Sequence, residues 1–388
     1  MPHGGVKVSI LASDLSRNAT GRADLLARLL RPRYRVEVVG PRFGADVWRP
    51  ARESPVPYRA LPGARHPRLA ARIPRLLQLI DGDILYASKP LATSFGLALL
   101  ARARRPRPLL LDVDDWEVGF FYRSGVWGRL GRFLNVANPN GLPWTWTMER
   151  LVGRADALTV ASRFLEQRFG GTLIPHVRDT EAWNPARYSR DAARALLGAA
   201  HRRVVMFLGT PRGHKGVEDL VDAVRGLGGD VLLAIVGARA GSAAAERWAG
   251  LPFVTVKGEI AFDDVPRYLM GADVVAVPQR ATSDTVGQLP AKLFDAMALA
   301  RPIVSTSVSM IPEVLDGCGV VVPPGDVRAL RDALADVLAD PARAEEMGRR
   351  ARRRCEAEYS FEAARARLFP IIDSLAARAP VSAAARQP

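Results

Sequence analysis

The sequence predicts an α/β protein of two doubly wound, Rossmann-like units. Short apolar runs of strand length alternate with helical patterns along most of the chain, which is typical of parallel α/β architecture. A length of 388 residues suits two domains. The alternation restarts after a polar stretch at 180–185, so we expect the two units to meet there and to face a ligand-binding cleft.

The first unit is predicted over residues 1–178. Its strands are apolar runs bounded by polar or glycine residues, at 6–12, 35–40, 83–87, 109–113 and 157–161. Helical patterns lie between them at 21–30, 72–80 and around 148–152. Ligands of such sheets bind beyond the carboxyl ends of the strands, so the residues that follow each run are candidates for function.

The second unit is predicted over residues 185–358. Its strands are predicted at 203–208, 231–236, 253–256, 274–277, 302–305 and 320–322. Its helices are predicted at 216–224, 244–248, 265–270, 290–299, 327–338 and 342–359. A last helix is predicted over 361–377, and we expect the tail 380–388 to be disordered.

Composition excludes several classes of protein. Hydrophobic residues make up 48% and charged residues 24%, which is ordinary for a globular protein and excludes a disordered chain. No apolar run approaches the ~20 residues of a membrane-spanning helix, and the start shows no signal-peptide pattern. The two cysteines, Cys318 and Cys355, are too few for a disulfide framework. We therefore predict a cytoplasmic protein.

The positive charge is concentrated in the first half of the chain. The formal net charge is +15, and residues 1–180 hold 28 basic but only 15 acidic residues. Among the 55 basic residues only five are lysines, so a lysine retained in such an arginine-rich chain is a candidate for a specific role. These lysines are Lys7, Lys89, Lys215, Lys257 and Lys292.

The motif with the clearest chemistry is LGTPRGHKG at 208–216, between a predicted strand and a predicted helix. Its glycines let backbone N–H groups approach a ligand, and the start of the helix favours an anion. Arg212 and Lys215 add two cations there, which predicts a cradle for a diphosphate. The spacing matches neither the P-loop nor the dinucleotide fingerprint, so an ATPase or dehydrogenase is not indicated. The alternative is an ordinary turn with solvated charges.

A second motif is TVGQLPAKLFDAM at 285–297. Pro290 suits the first position of a helix, and Lys292 and Asp295 then share one helix face. The loop at Gly287 offers backbone donors to a phosphate, and Asp295 can accept hydrogen bonds from sugar hydroxyls. The alternative is a surface ion pair that contributes little stability.

A third cluster, DVDDWE at 112–117, follows a predicted buried strand. Its Asp-x-Asp pattern can bind a divalent metal, but its place at a strand end of a doubly wound unit favours contacts to sugar hydroxyls or to an acceptor hydroxyl. An Asp-rich turn is the alternative. The following stretch, 116–146, mixes aromatic residues with arginines such as Arg123, Arg129 and Arg132. It suits a sugar-stacking site, a membrane interface, nucleic acid or local core.

On these motifs the chain resembles the retaining glycosyltransferases of family 4, which have the GT-B fold, most strongly over 150–325. Lys215 matches the family's diphosphate-binding lysine, while Thr210 stands where its arginine is usual and Arg212 is the substitute. The family's later motif has two glutamates; Asp295, before Ala-Met-Ala, matches the second. The first falls on Gly287, and Asp284, Gln288 or the loop backbone are the candidates to replace it.

The resemblance implies a donor that is a nucleoside-diphosphate sugar, a hydroxyl acceptor and no required cofactor or metal. Asp114 or Asp115 occupies the place where the family often has a histidine near the donor sugar, so the implied catalytic residues are Arg212, Lys215, Asp114 and Asp115. The last helix is expected to cross back to the first unit. The implied donor-binding residues are Gly209, Thr210, Lys257, Gly258, Ile260, Asp284, Gly287, Gln288, Lys292, Asp295 and, in the first loop, Gly21.

Two other classes of function remain open. One is a nucleotide-sugar epimerase or sugar phosphorylase on the same fold; the other is a non-catalytic basic protein that binds an anionic membrane or nucleic acid. Because the motifs lie in the nearly neutral half, we expect no specific nucleic acid partner. The basic first half instead suggests an anionic or lipid-linked acceptor, or a peripheral position at the inner face of the membrane.

Overall fold

The computed structural model describes residues 5–122, 126–199, 201–239 and 241–378. They form two compact units. The first unit runs to Pro175 and resumes at Ala364, and the second runs from His176 to Ala363. The boundaries therefore lie at 175/176 and 363/364, close to the predicted limits of 178 and 358. The predicted disordered tail, 380–388, lies outside the described residues.

The first unit contains a parallel sheet of seven described strands in the order β3-β2-β1-β4-β5-β6-β7. Its strands are β1 (Lys7–Leu11), β2 (Arg35–Arg42), β3 (Tyr58–Pro62), β4 (Ile84–Ser88), β5 (Leu109–Val113), β6 (Ala157–Val160) and β7 (Thr172–Leu173). The order reverses direction between β1 and β4, so the switch point at which such sheets bind ligands lies there. The sequence pattern does not predict β3 and β7, because these edge strands are mostly half-buried and lack a continuous apolar run.

Helices flank this sheet. They are α1 (Thr20–Leu30), α2 (Arg68–Leu79), α3 (Leu97–Arg104), α4 (Val126–Leu134), α5 (Leu142–Arg150) and α6 (Arg163–Phe169). A π-helical turn, Ala92–Gly96, directly precedes α3. The short helices α3, α4 and α6 are absent from the prediction, and α2 begins four residues before the predicted helix at 72–80.

The second unit contains six described strands, all parallel, in the order β10-β9-β8-β11-β12-β13. They are β8 (Arg203–Leu208), β9 (Val231–Val236), β10 (Val254–Lys257), β11 (Val274–Val277), β12 (Ile303–Thr306) and β13 (Val320–Val322). Here the order reverses between β8 and β11. The loops that follow these two strands therefore carry the second switch point, and they include both predicted donor motifs.

The helices of the second unit are α7 (Arg190–Leu197), α8 (Val217–Arg225), α9 (Ala243–Ala249), α10 (Val265–Leu269), α11 (Ala291–Ala298), α12 (Ile311–Leu315), α13 (Val327–Ala339) and α14 (Pro341–Glu358). A final helix, α15 (Phe361–Arg378), belongs to the first unit from Ala364 onward. There the Tyr34 hydroxyl donates a hydrogen bond to Asp373 (2.6 Å), and Arg365 donates to the carbonyl of Leu29 (3.1 Å).

The core of each unit lies around its central strands. Every residue of β4, β5, β9 and β11 is buried, so the apolar runs that predicted them are explained by burial on both faces of a parallel sheet. Cys318 and Cys355 are buried free thiols. Among the described residues, no helix combines the length and the apolar character needed to span a membrane.

Candidate functional site

The loops after β8 and β11 are packed closely at the switch point of the second unit. Gly216 has a φ of +63°, and a Cβ atom built on it would lie 1.8 Å from the carbonyl oxygen of Pro278. The Arg280 N–H also donates to the carbonyl of His214 at 2.9 Å. Only glycine fits this position without moving the backbone, so the close packing of the two loops explains why the 208–216 motif ends in glycine.

The predicted diphosphate cradle forms one face of this loop. The Lys215 ammonium donates to the carbonyl oxygen of Thr210 at 2.9 Å, and the loop ends where α8 begins at Val217. Lys215 is half-buried, whereas Thr210 and Arg212 are exposed. An anion at this position would meet Lys215 and the backbone N–H groups at the start of α8.

Lys292 reaches the same place from α11. Its ammonium lies 3.9 Å from the centroid of the Phe207 ring at the end of β8, and a Cβ atom built on Gly209 would lie 3.3 Å from it. Burial holds the pKa of Lys292 well below its ordinary value; the charge of Lys215 lowers it further and Asp295 opposes the shift. Two lysines from separate segments thus share one site, and a bound anion would relieve the cost of charging Lys292.

Asp295 is buried one turn further along α11 and forms an ion pair with the guanidinium of Arg178. Arg178 also donates to the carbonyl of Val177 (2.7 Å) and lies 5.4 Å from the Trp183 ring centroid. Burial raises the pKa of Asp295, although Arg178 and Lys292 both act in the opposite direction. Arg178 therefore engages one oxygen of the carboxylate that is predicted to hold the ribose, and that role stays a prediction.

Asp284 fixes the loop after β11. Its side chain is only 1% exposed; one oxygen lies 3.1 Å from His214 Nδ1, and Thr282 donates to the other. This burial does not favour the direct donor contact predicted for Asp284, since both of its oxygens are engaged within the protein. Gly287 is buried, and the half-buried Gln288 accepts a hydrogen bond from Gln279 at 3.4 Å.

The residues predicted beside the nucleotide base lie on the same edge of the sheet as Gly209. The Gly237 N–H, at the end of β9, donates to the carbonyls of Lys257 (3.0 Å) and Gly258 (3.2 Å). A Cβ atom built on Gly237 would lie 3.0 Å from the backbone of Gly209, so the ends of β8, β9 and β10 are joined. Gly258 is exposed and Ile260 half-buried, and both are accessible to a ligand.

In the first unit, Asp114 and Asp115 surround a lysine. The Lys89 ammonium lies 2.8 Å from Asp114 Oδ1, 2.7 Å from Asp115 Oδ2 and 2.7 Å from Glu117 Oε1. The three carboxylates approach within 4.8 Å of one another, close enough to hold a cation, and the Lys89 ammonium contacts all three. Burial raises the pKa of Glu117 to about 7, with Lys89 opposing and Asp115 reinforcing the shift.

Asp112, the first residue of the Asp-x-Asp pattern, has a different partner. Its two oxygens accept hydrogen bonds from the Arg22 guanidinium at 2.7 and 2.9 Å, and its side chain is 0% exposed. The aspartates of the 112–117 motif therefore have two different partners: Asp112 pairs with Arg22, whereas Asp114 and Asp115 pair with Lys89. The sequence offers no local signal for Arg22, which lies 90 residues away.

Gly21 lies close to the Trp48 ring. A Cβ atom built on it would lie 3.1 Å from the Trp48 ring, so the ring rests against the start of α1. Its predicted contact to a donor phosphate or an acceptor stays a prediction.

The aromatic stretch after β5 is partly packed and partly exposed. Trp116 packs on Phe164 at 5.5 Å between ring centroids, whereas Tyr122, Phe133 and Trp146 are exposed. Arg123 and the side chain of Arg129 lie outside the described residues.

Comparison with known proteins gives consistent results. Residues 202–340 match the family model described as glycosyl transferases group 1. The chain is 31% identical over 305 residues to a GDP-mannose-dependent α-(1-6)-phosphatidylinositol monomannoside mannosyltransferase of Mycolicibacterium smegmatis, covering 73% of this chain and 74% of that protein. A GDP-mannose-dependent monoacylated α-(1-6)-phosphatidylinositol monomannoside mannosyltransferase of Corynebacterium glutamicum is 29% identical over 316 residues, which is 76% of this chain and 77% of that protein.

Solved structures share the fold. The Anabaena protein Alr3699/HepE, solved in complex with UDP-glucose, superposes with a TM-score of 0.76 over 95% of this chain and 100% of its own, at 17% identity. Sucrose-phosphate synthase from Thermosynechococcus elongatus gives a TM-score of 0.75 over 96% of this chain and 100% of its own, at 18% identity. At these identities the likeness concerns the fold alone.

Proposed function

The chain belongs to the group 1 glycosyltransferases, and we propose that it moves a sugar from a nucleoside-diphosphate sugar to an acceptor hydroxyl with retention at the anomeric carbon. The predicted GT-B class, with two Rossmann-like parallel sheets, is confirmed. The observation that carries the proposal is the meeting of Lys215 and Lys292 beside Gly209, at the carboxyl edge of the second sheet.

GDP-mannose is the first donor to test. Two relatives along most of this chain are named as GDP-mannose-dependent mannosyltransferases. In this proposal the diphosphate lies on the loop from Gly209 to Gly216, and the base lies beside the ends of β9 and β10, near Lys257, Gly258 and Ile260. Asp295 would bind the ribose through the oxygen that faces away from Arg178.

The proposed chemistry depends on stabilising a departing diphosphate. Negative charge grows on the leaving group as the bond to the sugar breaks, and cations already fixed around it lower the barrier. Lys215 and Lys292 supply such charges from the loop and from α11, and the exposed Arg212 can close over the phosphates. Because side chains supply the positive charge, the scheme requires no metal or cofactor.

Replacing Lys292 by methionine tests the donor site. Because the folded chain disfavours the charged form of Lys292, its stability rises with pH between the lowered folded pKa and the ordinary value, and the methionine variant loses this slope. At neutral pH we expect the variant to be at least as stable as the wild type. GDP at ~100 times its dissociation constant should add about 2.7 kcal/mol to the unfolding free energy of the wild type and much less to that of the variant.

Thermal unfolding with GDP, UDP and ADP measures both effects. Lys7→Met is the matched control, since Lys7 is paired with Glu37 and Asp81 and its pKa is raised instead of lowered. The control should be less stable than the wild type but respond to GDP equally. A wild type that responds to no nucleoside diphosphate would contradict the proposed function.

For the acceptor we propose a lipid-linked or anionic molecule at a membrane surface. Phosphatidylinositol monomannoside appears in the names of both mannosyltransferases, and the first 180 residues carry the basic excess. Exposed apolar side chains, Phe133, Leu134, Val136 and Trp146, lie near Arg132 and Arg150 in sequence. We expect stronger co-sedimentation with vesicles of phosphatidylglycerol than of phosphatidylcholine at low salt; equal binding would remove the membrane proposal.

A further inference from the structure

Lys89 has an unusual conformation at the switch point of the first unit. It directly follows β4, is 6% exposed, and has a φ of +75°, in the left-handed region that residues other than glycine seldom adopt. Its own N–H donates to the carbonyl of Asp112 at 2.9 Å, and its carbonyl accepts from the Ser94 hydroxyl at 2.8 Å. The backbone therefore holds Lys89 in one orientation, pointed at the loop after β5.

The ammonium of Lys89 lies among three carboxylates. It donates hydrogen bonds to Asp115 Oδ2 and Glu117 Oε1, both at 2.7 Å, and lies 2.8 Å from Asp114 Oδ1 as an ion pair. That Asp114 oxygen is buried and accepts no hydrogen bond from the described residues. Each carboxylate can accept about four hydrogen bonds, so the contacts to Lys89 leave capacity on Asp114, Asp115 and Glu117.

The cluster of Lys89, Asp114, Asp115 and Glu117 holds more negative than positive charge. Three carboxylates face one ammonium, and burying unpaired charge is costly, so the arrangement does not serve stability alone. The side chains of Asp115 and Glu117 are 24% and 14% exposed, so they remain partly accessible beyond the carboxyl end of β5. A group that donates hydrogen bonds is favoured there, while a phosphate would meet an excess of negative charge.

We propose that Lys89 is a positioning residue for the acceptor: it holds Asp114, Asp115 and Glu117 so that their remaining lone pairs bind the hydroxyl groups around the accepting oxygen. The proposal rests on the proposed function and deepens it. It also restricts the acceptor, since the portion beside the accepting hydroxyl is a neutral or cationic polyol, and any phosphate of the acceptor lies away from these carboxylates.

The test compares transfer to octyl α-D-mannopyranoside and to α-D-mannose 1-phosphate, whose phosphate leaves every other hydroxyl free. The donor is the sugar nucleotide whose nucleoside diphosphate binds in the thermal unfolding screen. Lys89→Met should raise the KM for the octyl mannoside about 10- to 100-fold, because misplaced carboxylates lose hydrogen bonds to it. The KM for the donor should stay within about twofold. Wild type should prefer the octyl mannoside to mannose 1-phosphate, and Asp115→Asn should reduce that preference.

Two variants separate positioning from folding. Lys7→Met removes a lysine held by two carboxylates at the opposite, amino end of β1, so it should leave both KM values unchanged. The double variant Lys89→Met/Glu117→Gln removes one unpaired charge and should recover stability relative to Lys89→Met without recovering the acceptor KM. If Lys89 has a purely structural role, the stability and the acceptor KM should recover together in the double variant.

The outcomes are distinguishable from failure of the proposed function. If the wild type transfers sugar and Lys89→Met or Asp115→Asn has the acceptor KM of Lys7→Met, the inference is overturned and the function stands. If Lys89→Met does not fold, Asp115→Asn alone decides. A wild type that binds a nucleoside diphosphate but transfers no sugar to either acceptor or to phosphatidylinositol mannoside contradicts the proposed function, and the inference fails with it.

Discussion

Replacing Lys215 by alanine is expected to lower the rate of sugar transfer by about two to three orders of magnitude. Lys215 stands in the loop that joins β8 to α8, next to Thr210 and within electrostatic reach of Lys292. Its removal takes away a fixed cation where the leaving diphosphate is proposed to develop charge. The loss should be incomplete, because removing the charge of Lys215 raises the pKa of Lys292 and makes its ammonium more available.

The unfolding temperature separates this effect from a damaged fold. Lys215 is half-buried in a surface loop, so we expect little change in stability. Arg225→Ala, at the far end of α8 in an exposed pair with Asp222, is the matched control and should transfer at the wild-type rate. Near-wild-type turnover in Lys215→Ala would contradict the proposed role of Lys215 in stabilising the leaving diphosphate. NMR of the wild-type product tests retention in the same assay, since an inverted linkage would refute it.

Replacing Asp112 by asparagine is expected to lower the free energy of unfolding by about 3–5 kcal/mol. Asp112 and Arg22 have side chains that are 0% and 1% exposed, so the substitution leaves a buried guanidinium without its counter-charge. Arg22 also donates to the carbonyls of Ile174 (2.8 Å) and Pro175 (3.0 Å), which ties α1 to the end of the first chain segment.

Chemical denaturation followed by tryptophan fluorescence measures this loss. Asp222→Asn is the control, because Asp222 pairs with Arg225 at the surface, where both side chains are more than half exposed, and it should cost less than about 1 kcal/mol. Equal losses of unfolding free energy in Asp112→Asn and Asp222→Asn would show that the buried pair contributes no more to stability than the exposed one. The two units can unfold separately, so the transition of the first unit is the one to compare.

Burial decided which elements could be predicted from the sequence. The strands β5, β8, β9 and β11 were predicted with their observed limits because both faces of each are covered and the apolar run is continuous. The edge strands β3 and β7 lack such a run. Helix α12, with five residues, was also not predicted.

The candidate site was predictable where its residues share a loop and unpredictable where they do not. Gly209 and Lys215 belong to one motif between a strand and a helix, which local spacing identifies. The pair of Arg178 with Asp295 joins residues 117 apart, and no local pattern connects them. Lys89 had a signal of a different kind, its rarity among arginines, but its partners became evident only from the packing of the loops after β4 and β5.

Helix α15 affects the order in which the two units can complete their folding during synthesis. Because α15 packs on the first unit through contacts such as Tyr34 with Asp373, the amino-terminal unit lacks part of its packing until α15 has been synthesised. The second unit, from His176 to Ala363, is uninterrupted and can finish folding first. A truncation after residue 363 is therefore a lesion of the amino-terminal unit.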